Sequence, residues 1–547
     1  MHLRSLPLLG SAALALLCGA AAPARATDDT LDLRRFLARF RTGEIDASVI
    51  GRLIPSEEPP PAFPAYERAR QKLRTEPRIA GAEVLLEAAV LVLDEDPARE
   101  LERFATRQPW VIRRRAIDEL CEYYLQDELQ DWAATKLAEG KATAAERRVL
   151  VEWLGAALAK RARPEIYELA KRALEDASAP VRGAAANALA PALHERDLLT
   201  VVRLLYDAEA AVRLRAATAL RVALQRKEEA PDPALRGRVL QLAAGRLSDP
   251  DAHVRVALAE MLREQKNGLV LPFLVEALAA EERREKTPEA RKRFRAAIED
   301  LLHELTGRGS PPLRAAEWRK FLESADGERS VRPEGLPGRT SSTGAIPRSY
   351  ATYFGREVRS DHVVFVLDFS GSMRRRAGNE EHDRGEGPRE EARRIDLAVR
   401  EFLGYLEKLD EASWFNVVVF AQGSAACFDD LEAATAENRA RARAFVTQLP
   451  LGGSTDLFSG IVRGMRCAGL EDGSRAGTSA DTLFLLSDGI PTAGAVTDPA
   501  DIARLITTLN RECDLAVNVV DLGARHSAFQ KHLKSLAWQN GGEYIRP

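Results

Sequence analysis

Five cysteines are scattered through 547 residues, and no two stand at the short spacing of a zinc site. That excludes a metal-stapled module and leaves too few thiols for a disulfide framework. Beyond Cys18 there remain Cys121, Cys427, Cys467 and Cys513; a bridge among the last three stays open, with buried free thiols the better fit. Aromatic residues amount to 6% and the net charge is −3, so the chain lacks both the stacking surface and the basic field of a nucleic-acid binder. The chain has no Gly-x-x-x-x-Gly-Lys-Ser/Thr loop to cradle a nucleotide phosphate. Past the amino terminus no apolar run reaches membrane-spanning length, since Glu87 interrupts the best one, Val84–Leu93.

What is present begins with a leader. Arg4 supplies a positive start, 6–22 is almost unbroken apolar sequence, and Ala24-Arg25-Ala26 offers a small-x-small cleavage site. Residues 1–26 therefore read as a signal peptide, and the expected location is periplasmic or extracellular. An uncleaved amino-terminal anchor is the alternative that the length of the run allows. Lipidation at Cys18 is disfavoured because Leu17 stands where a small residue is expected.

Ala, Leu, Arg and Glu dominate the next three hundred residues, a composition that favours helix. Residues 27–105 read as a helical lead-in broken by the proline-rich stretch at 56–64. From 106 to 323 a repeat emerges: an apolar residue, then Arg, then apolar or small residues at +4 and +8. It fits Ile112-Arg113-Ala116-Leu120, Val181-Arg182-Ala185-Leu189, Val212-Arg213-Ala216-Leu220 and Val254-Arg255-Leu258-Leu262. Weaker copies start at Glu146-Arg147 and Phe294-Arg295. Positions 0, +4 and +8 share one helix face, so each unit carries an apolar stripe that only a neighbouring unit can bury. The acidic turns Asp207-Ala-Glu and Asp249-Pro-Asp precede two of these helices as start signals. The units resemble HEAT repeats, which implies an all-α solenoid. Their arginines are expected to brace turns and caps rather than bind a ligand. The array is expected to close at His303-Glu-Leu-Thr-Gly307 and the helix bearing Trp318, an ending that resembles exported bacterial proteins joining such repeats to an α/β domain. Residues 324–349, rich in Gly, Ser and Pro, read as a mobile linker that leaves the two halves free to reorient.

From 350 to 547 the pattern changes to alternating strands and helices, the signature of a mostly parallel sheet covered on both faces. The run from His362 to Leu367 reads as a strand buried on both sides, and it stops at Asp368-Phe-Ser370-Gly-Ser372. Gly452-Gly-Ser-Thr455-Asp456 then precedes a helical pattern, and a second buried strand from Thr482 ends at Ser487-Asp488-Gly. Loops at the carboxyl ends of parallel strands converge where open α/β sheets bind ligands. Their oxygen-only side chains suit a hard divalent cation: Mg²⁺ foremost, otherwise Mn²⁺ or Ca²⁺.

Asp368-x-Ser370-x-Ser372, Thr455 and Asp488 together resemble the metal-ion-dependent adhesion site of von Willebrand factor type A domains, a Rossmann-like α/β fold. The resemblance implies that Ser370 and Ser372 bind the cation directly and Thr455 directly or through water. Asp368 and Asp488 would anchor its water shell, and an Asp or Glu from a partner protein would take the open position. The insertion Arg374–Arg394, with near-balanced charge, reads as a loop without a packed element; Glu380, Glu381, His382 and Asp383 within it read as solvated charge.

The expected function is therefore an exported, non-enzymatic adhesion or scaffold protein, with the helical repeats as a second interaction surface. No His or Glu falls in the three site loops to serve as general base, His526 and His532 read as surface residues, and Ser487 reads as a strand-end cap. Helical repeats followed by a type A domain also resemble the Ro autoantigen proteins, which bind small RNAs, but the charge and composition oppose that alternative. A further alternative is a subunit working with a membrane-linked ATPase complex.

Overall fold

The computed structural model describes residues 127–547 apart from 162, 227–231, 286, 288, 309–313, 334–349, 377–392, 471–478, 489, 495 and 524–528. The leader, the 27–105 lead-in, the repeat at Ile112, Cys18, Cys121, His526 and the acidic group at 380–383 lie outside the described residues. The chain divides into two compact units between Leu193 and His194, inside the expected array rather than at 324–349.

The first unit contains α1 (Asp127–Ala138), α2 (Ala144–Lys160), α3 (Pro164–Arg172) and α4 (Ala179–Leu189), with α2 packed chiefly on α4. Thr143 and Glu146 make a reciprocal capping box that fixes where α2 begins. Helix α4 runs so close to α2 that a Cβ on Gly155 would collide with Ala188, which is why the α2 stripe contains a glycine. Arg147 spans the hairpins with a two-pronged contact to Asp176, at 2.7 and 2.8 Å.

The second unit opens with α5 (Leu198–Arg203), α6 (Ala210–Gln225), α7 (Pro233–Ala244), α8 (Ala252–Gln265), α9 (Leu271–Arg284), α10 (Lys292–Thr306), α11 (Ala315–Leu322) and α12 (Ala325–Ser330). Helices α6, α8 and α10 pack in one layer, and α5, α7, α9 and α11 in a second. The repeated arginines do one job. Arg182, Arg213 and Arg255 each donate from Nη1 to two carbonyls five and six residues back, closing the turn before their own helix. Arg213 also grips Asp249 of the next hairpin at 2.9 Å, and Arg255 reaches the Glu289 carbonyl at 2.6 Å. Of the expected start signals, Asp251 caps α8 through Val254 N, while Asp249 serves as the receptor for Arg213. Trp318 seals the end of the array, edge-on to both His303 and Phe321.

The stretch expected to begin a mobile linker at 324 instead starts as α12, capped by Ser324. A Cβ on Gly268 would strike the carbonyls of Ser330 and Arg332, so this segment lies directly on the array.

The remainder is an open twisted sheet. Its central strands are β3 (His362–Asp368), β4 (Trp414–Phe420), β7 (Thr482–Ser487), β8 (Ala516–Asp521) and β9 (Tyr544–Ile545). They run parallel in the order β4-β3-β7-β8-β9, and two short antiparallel strands, β5 (Ser424–Ala426) and β6 (Glu432–Ala433), flank β4. A two-residue ribbon, β1 (Thr352–Tyr353) with β2 (Arg356–Glu357), precedes the sheet. Helices α13 (Arg394–Leu406), α14 (Ala436–Gln448), α15 (Leu457–Arg466), α16 (Pro499–Cys513) and α17 (Gln530–Gln539) supply the crossovers. β3 is buried along its whole length, as its apolar run predicts. The chain leaves β3 for β4 on one side and pairs it with β7 on the other, so strand order reverses at β3.

The array closes the amino-terminal edge of this sheet. Arg291, just before α10, places Nη1 2.8 Å from His362 Nε2, and its guanidinium lies 3.8 Å from Asp481. Lys292 N donates to Asp361, Arg293 donates to the carbonyls of Asp481 and Asp514, and His253 meets Ser479 at 2.6 Å. The array and the sheet therefore share a buried polar seam, which differs from the expected free reorientation. Among the described residues, no helix is long and apolar enough to cross a membrane.

Candidate functional site at the carboxyl edge of the sheet

Asp368 ends β3 with no exposed surface. Its Oδ1 accepts from Ser370 N at 2.8 Å, so the carboxylate shapes the turn that follows. Its Oδ2 accepts from Ser487 Oγ at 2.7 Å, across to the end of β7. Ser370 and Ser372 stand with their hydroxyl oxygens 2.9 Å apart. Ser372 Oγ donates to Asp488 Oδ1 at 2.7 Å, which leaves Ser370 to donate to Ser372. Four of the five expected residues thus form one hydrogen-bonded cluster.

Thr455 belongs to the adjoining loop. Gly452 N donates to the Phe369 carbonyl at 2.7 Å, fastening that loop to the Asp368 turn. Thr455 is buried, and its backbone is held on both sides by Thr492. Asp456 caps α15 through Ser459 N and Oγ. Gly494, at φ +101°, passes so close that a Cβ there would overlap the Asp456 carboxylate.

Burial pushes the Asp368 carboxyl up to about 6, the Ser370 and Ser487 hydrogen bonds oppose the rise, and the nearby Asp488 adds to it. Two carboxylates and three hydroxyls drawn to one strand edge form an oxygen-only set, which fits a hard cation and offers no soft ligand. Ser487, expected as a strand-end cap, ends β7 and donates to Asp368.

Arg394 closes the 374–394 insertion expected to lack a packed element, but it is the first residue of α13, and its Nη1 lies 2.7 Å from Asp488 Oδ2 with both side chains buried. The insertion conceals it in the sequence because the partner lies 94 residues away. The available signal was an arginine directly ahead of an amphipathic helix, a position where helix starts disfavour cations.

The polar cluster lies at the strand-order reversal of an open, mostly parallel sheet, the place where open α/β sheets generally take ligands. No protein-family model matches the chain. It is 29% identical over 187 residues to inter-alpha-trypsin inhibitor heavy chain H1 from Sus scrofa, spanning 34% of this chain and 18% of that protein. It is 26% identical over 192 residues to heavy chain H3 from Mesocricetus auratus, spanning 34% and 19%. The chain thus matches about a fifth of the length of these curated relatives.

Among solved structures, a von Willebrand factor type A protein from Catenulispora acidiphila is 20% identical, with TM-score 0.25 over 34% of this chain and 38% of that one. The PilB minor pilin from Streptococcus sanguinis is 18% identical, with TM-score 0.26 over 34% and 56%. The chain is thus similar to von Willebrand factor type A proteins, and its carboxyl-terminal region is a mixed, mostly parallel sheet.

Proposed function

We propose that the protein is exported and binds a partner protein through a divalent cation, Mg²⁺ foremost, held at the carboxyl edge of the sheet. The observation that carries this reading is the paired contact of Ser372 with Asp488 and of Ser487 with Asp368, which joins residues more than a hundred positions apart. Ser370, Ser372 and Thr455 would supply neutral oxygens, with Asp368 and Asp488 as anionic anchors. When bound, the cation would supply an open coordination position for an Asp or Glu carboxylate of the partner. Hard cations keep exchangeable positions of this kind. The chain's own part is to hold the hydroxyls in place and to bury the carboxylates so that the ion is attracted.

Binding rather than catalysis is the role proposed, since the cluster holds no histidine, lysine or thiol for proton transfer or attack. The helical array, read as HEAT-like, serves as a second interaction surface, and export rests on the amino-terminal pattern. The test is a pull-down from the exported fraction with and without EDTA, with Asp368→Ala as control. Partner capture should require the metal and Asp368; capture that ignores both contradicts the reading.

A further inference from the structure

The cluster contains two acids and a permanent cation, and its charge balance follows from that. Arg394 donates from Nη1 to Asp488 Oδ2 at 2.7 Å, with its side chain 5% exposed and that of Asp488 fully buried. Its Nε finds no hydrogen-bond partner among the described residues. A guanidinium does not lose its proton in a protein. Arg394 is also fixed in place. Its backbone N donates to the Arg375 carbonyl at 2.9 Å, and Arg376 bridges to Arg393, which ties the start of α13 to the end of the serine loop. A cation in the first turn of a helix opposes the helix dipole, so Asp488 is what holds it there.

We propose that Arg394 is a specificity-determining residue that makes metal and anionic ligand bind as a coupled pair. This rests on the metal reading given above. Asp368 and Asp488 contribute two negative charges and Arg394 one positive charge, so the empty cluster is singly negative. A divalent ion turns it singly positive in a buried setting, where charges are poorly screened. One carboxylate from the partner restores neutrality. Without Arg394 the two acids and the ion would already balance, and the ion would bind well with no ligand. The arginine therefore weakens retention of the bare ion and reserves tight binding for the ternary complex with an acidic side chain. By linkage, the ion raises affinity for the carboxylate by the same factor as the carboxylate raises affinity for the ion.

The test titrates Mn²⁺, read by the electron paramagnetic resonance signal of the free ion, into the full chain with and without a blocked Gly-Asp-Gly peptide at fixed peptide concentration. The peptide should tighten Mn²⁺ binding to the wild type by about tenfold, in the usual range of such couplings. Arg394→Gln should bind the bare ion about tenfold tighter than the wild type and lose most of the coupling, while Arg394→Lys, which keeps the charge, should retain it. Equal Mn²⁺ affinity in wild type and Arg394→Gln, or undiminished coupling in Arg394→Gln, overturns the proposal and leaves the metal reading standing. Absence of Mn²⁺ binding in every protein overturns both. Should Arg394→Gln fail to fold, the wild type alone still overturns the proposal when its Mn²⁺ affinity is indifferent to the peptide.

Discussion

Arg291 Nη1 lies 2.8 Å from His362 Nε2, and through that contact the helical array holds the first residue of the strand whose last residue is Asp368. A guanidinium can only donate, so His362 accepts at Nε2 and donates from Nδ1 to Asp361, 3.0 Å away. The seven-residue strand from His362 to Asp368 spans the distance from this seam to the oxygen cluster, about 20 Å at the usual rise.

Asp361 gives the seam a pH dependence. Burial opposes its ionisation, but hydrogen bonds from His362 and from Lys292 N outweigh burial and hold the carboxyl below the usual carboxylate range. A depressed folded-state value contributes stability that is present above the unfolded value, near pH 4, and is lost as pH falls through the folded value. Melting temperatures of wild type and Asp361→Asn should therefore converge as pH is lowered from 5 toward 2.5. Parallel curves over that range would remove Asp361 from the seam.

The arginine ladder predicts which surface-looking residue the array needs most. Arg213 and Asp249 are both buried, and the pair spans two hairpins. Removing one partner of a buried ion pair leaves the other uncompensated, a loss of about 3–5 kcal/mol. Arg213→Ala should lower the denaturant midpoint accordingly, read by fluorescence of the buried Trp318. A loss below about 1 kcal/mol, the range of exposed pairs, would show that the contact is solvated.

Cys427, Cys467 and Cys513 are buried and no bridge joins them among the described residues, which decides among the openings the sequence left. Burial raises the Cys427 thiol and pushes Cys467 up to about 11, so little thiolate is present at neutral pH. Iodoacetamide at pH 8 should leave these three unmodified in the native protein and alkylate them after unfolding, as located by peptide mass spectrometry. Rapid native alkylation of Cys467 would contradict its placement.

Gly494 tests the site without touching any proposed ligand. Alanine there must adopt φ near +101° and would push into Asp456, next to Thr455. Gly494→Ala should weaken Mn²⁺ binding several-fold while circular dichroism stays unchanged. Unaltered binding would show that the Thr455 loop does not shape the cluster.

Much of the sheet was legible because parallel strands buried on both faces write continuous apolar runs. β3 runs one residue past the expected His362–Leu367, where the polar Asp368 completes the strand. The two-residue strands β1, β2 and β6 left no pattern long enough to read. Asp368, Ser370, Ser372 and Asp488 were legible as a motif because their spacing is local to two strand ends. Arg394 and Arg291 were not, because a buried polar residue looks like a surface one until its partner, dozens of positions away, is folded against it. The same reason hid the seam and made 324–330 read as linker, where Gly268 and Gly327 in fact allow close backbone contact.

The central claim is that the Asp368 cluster holds a divalent cation. Because burial already raises the Asp368 carboxyl to about 6, replacing it relieves a desolvated acid, and Asp368→Ala should keep the metal-free fold intact. Calorimetric titration of Mg²⁺ into the full chain is the direct measurement. The account predicts one saturable site in the wild type and none in Asp368→Ala; no site in the wild type, or equal binding by both proteins, would contradict it.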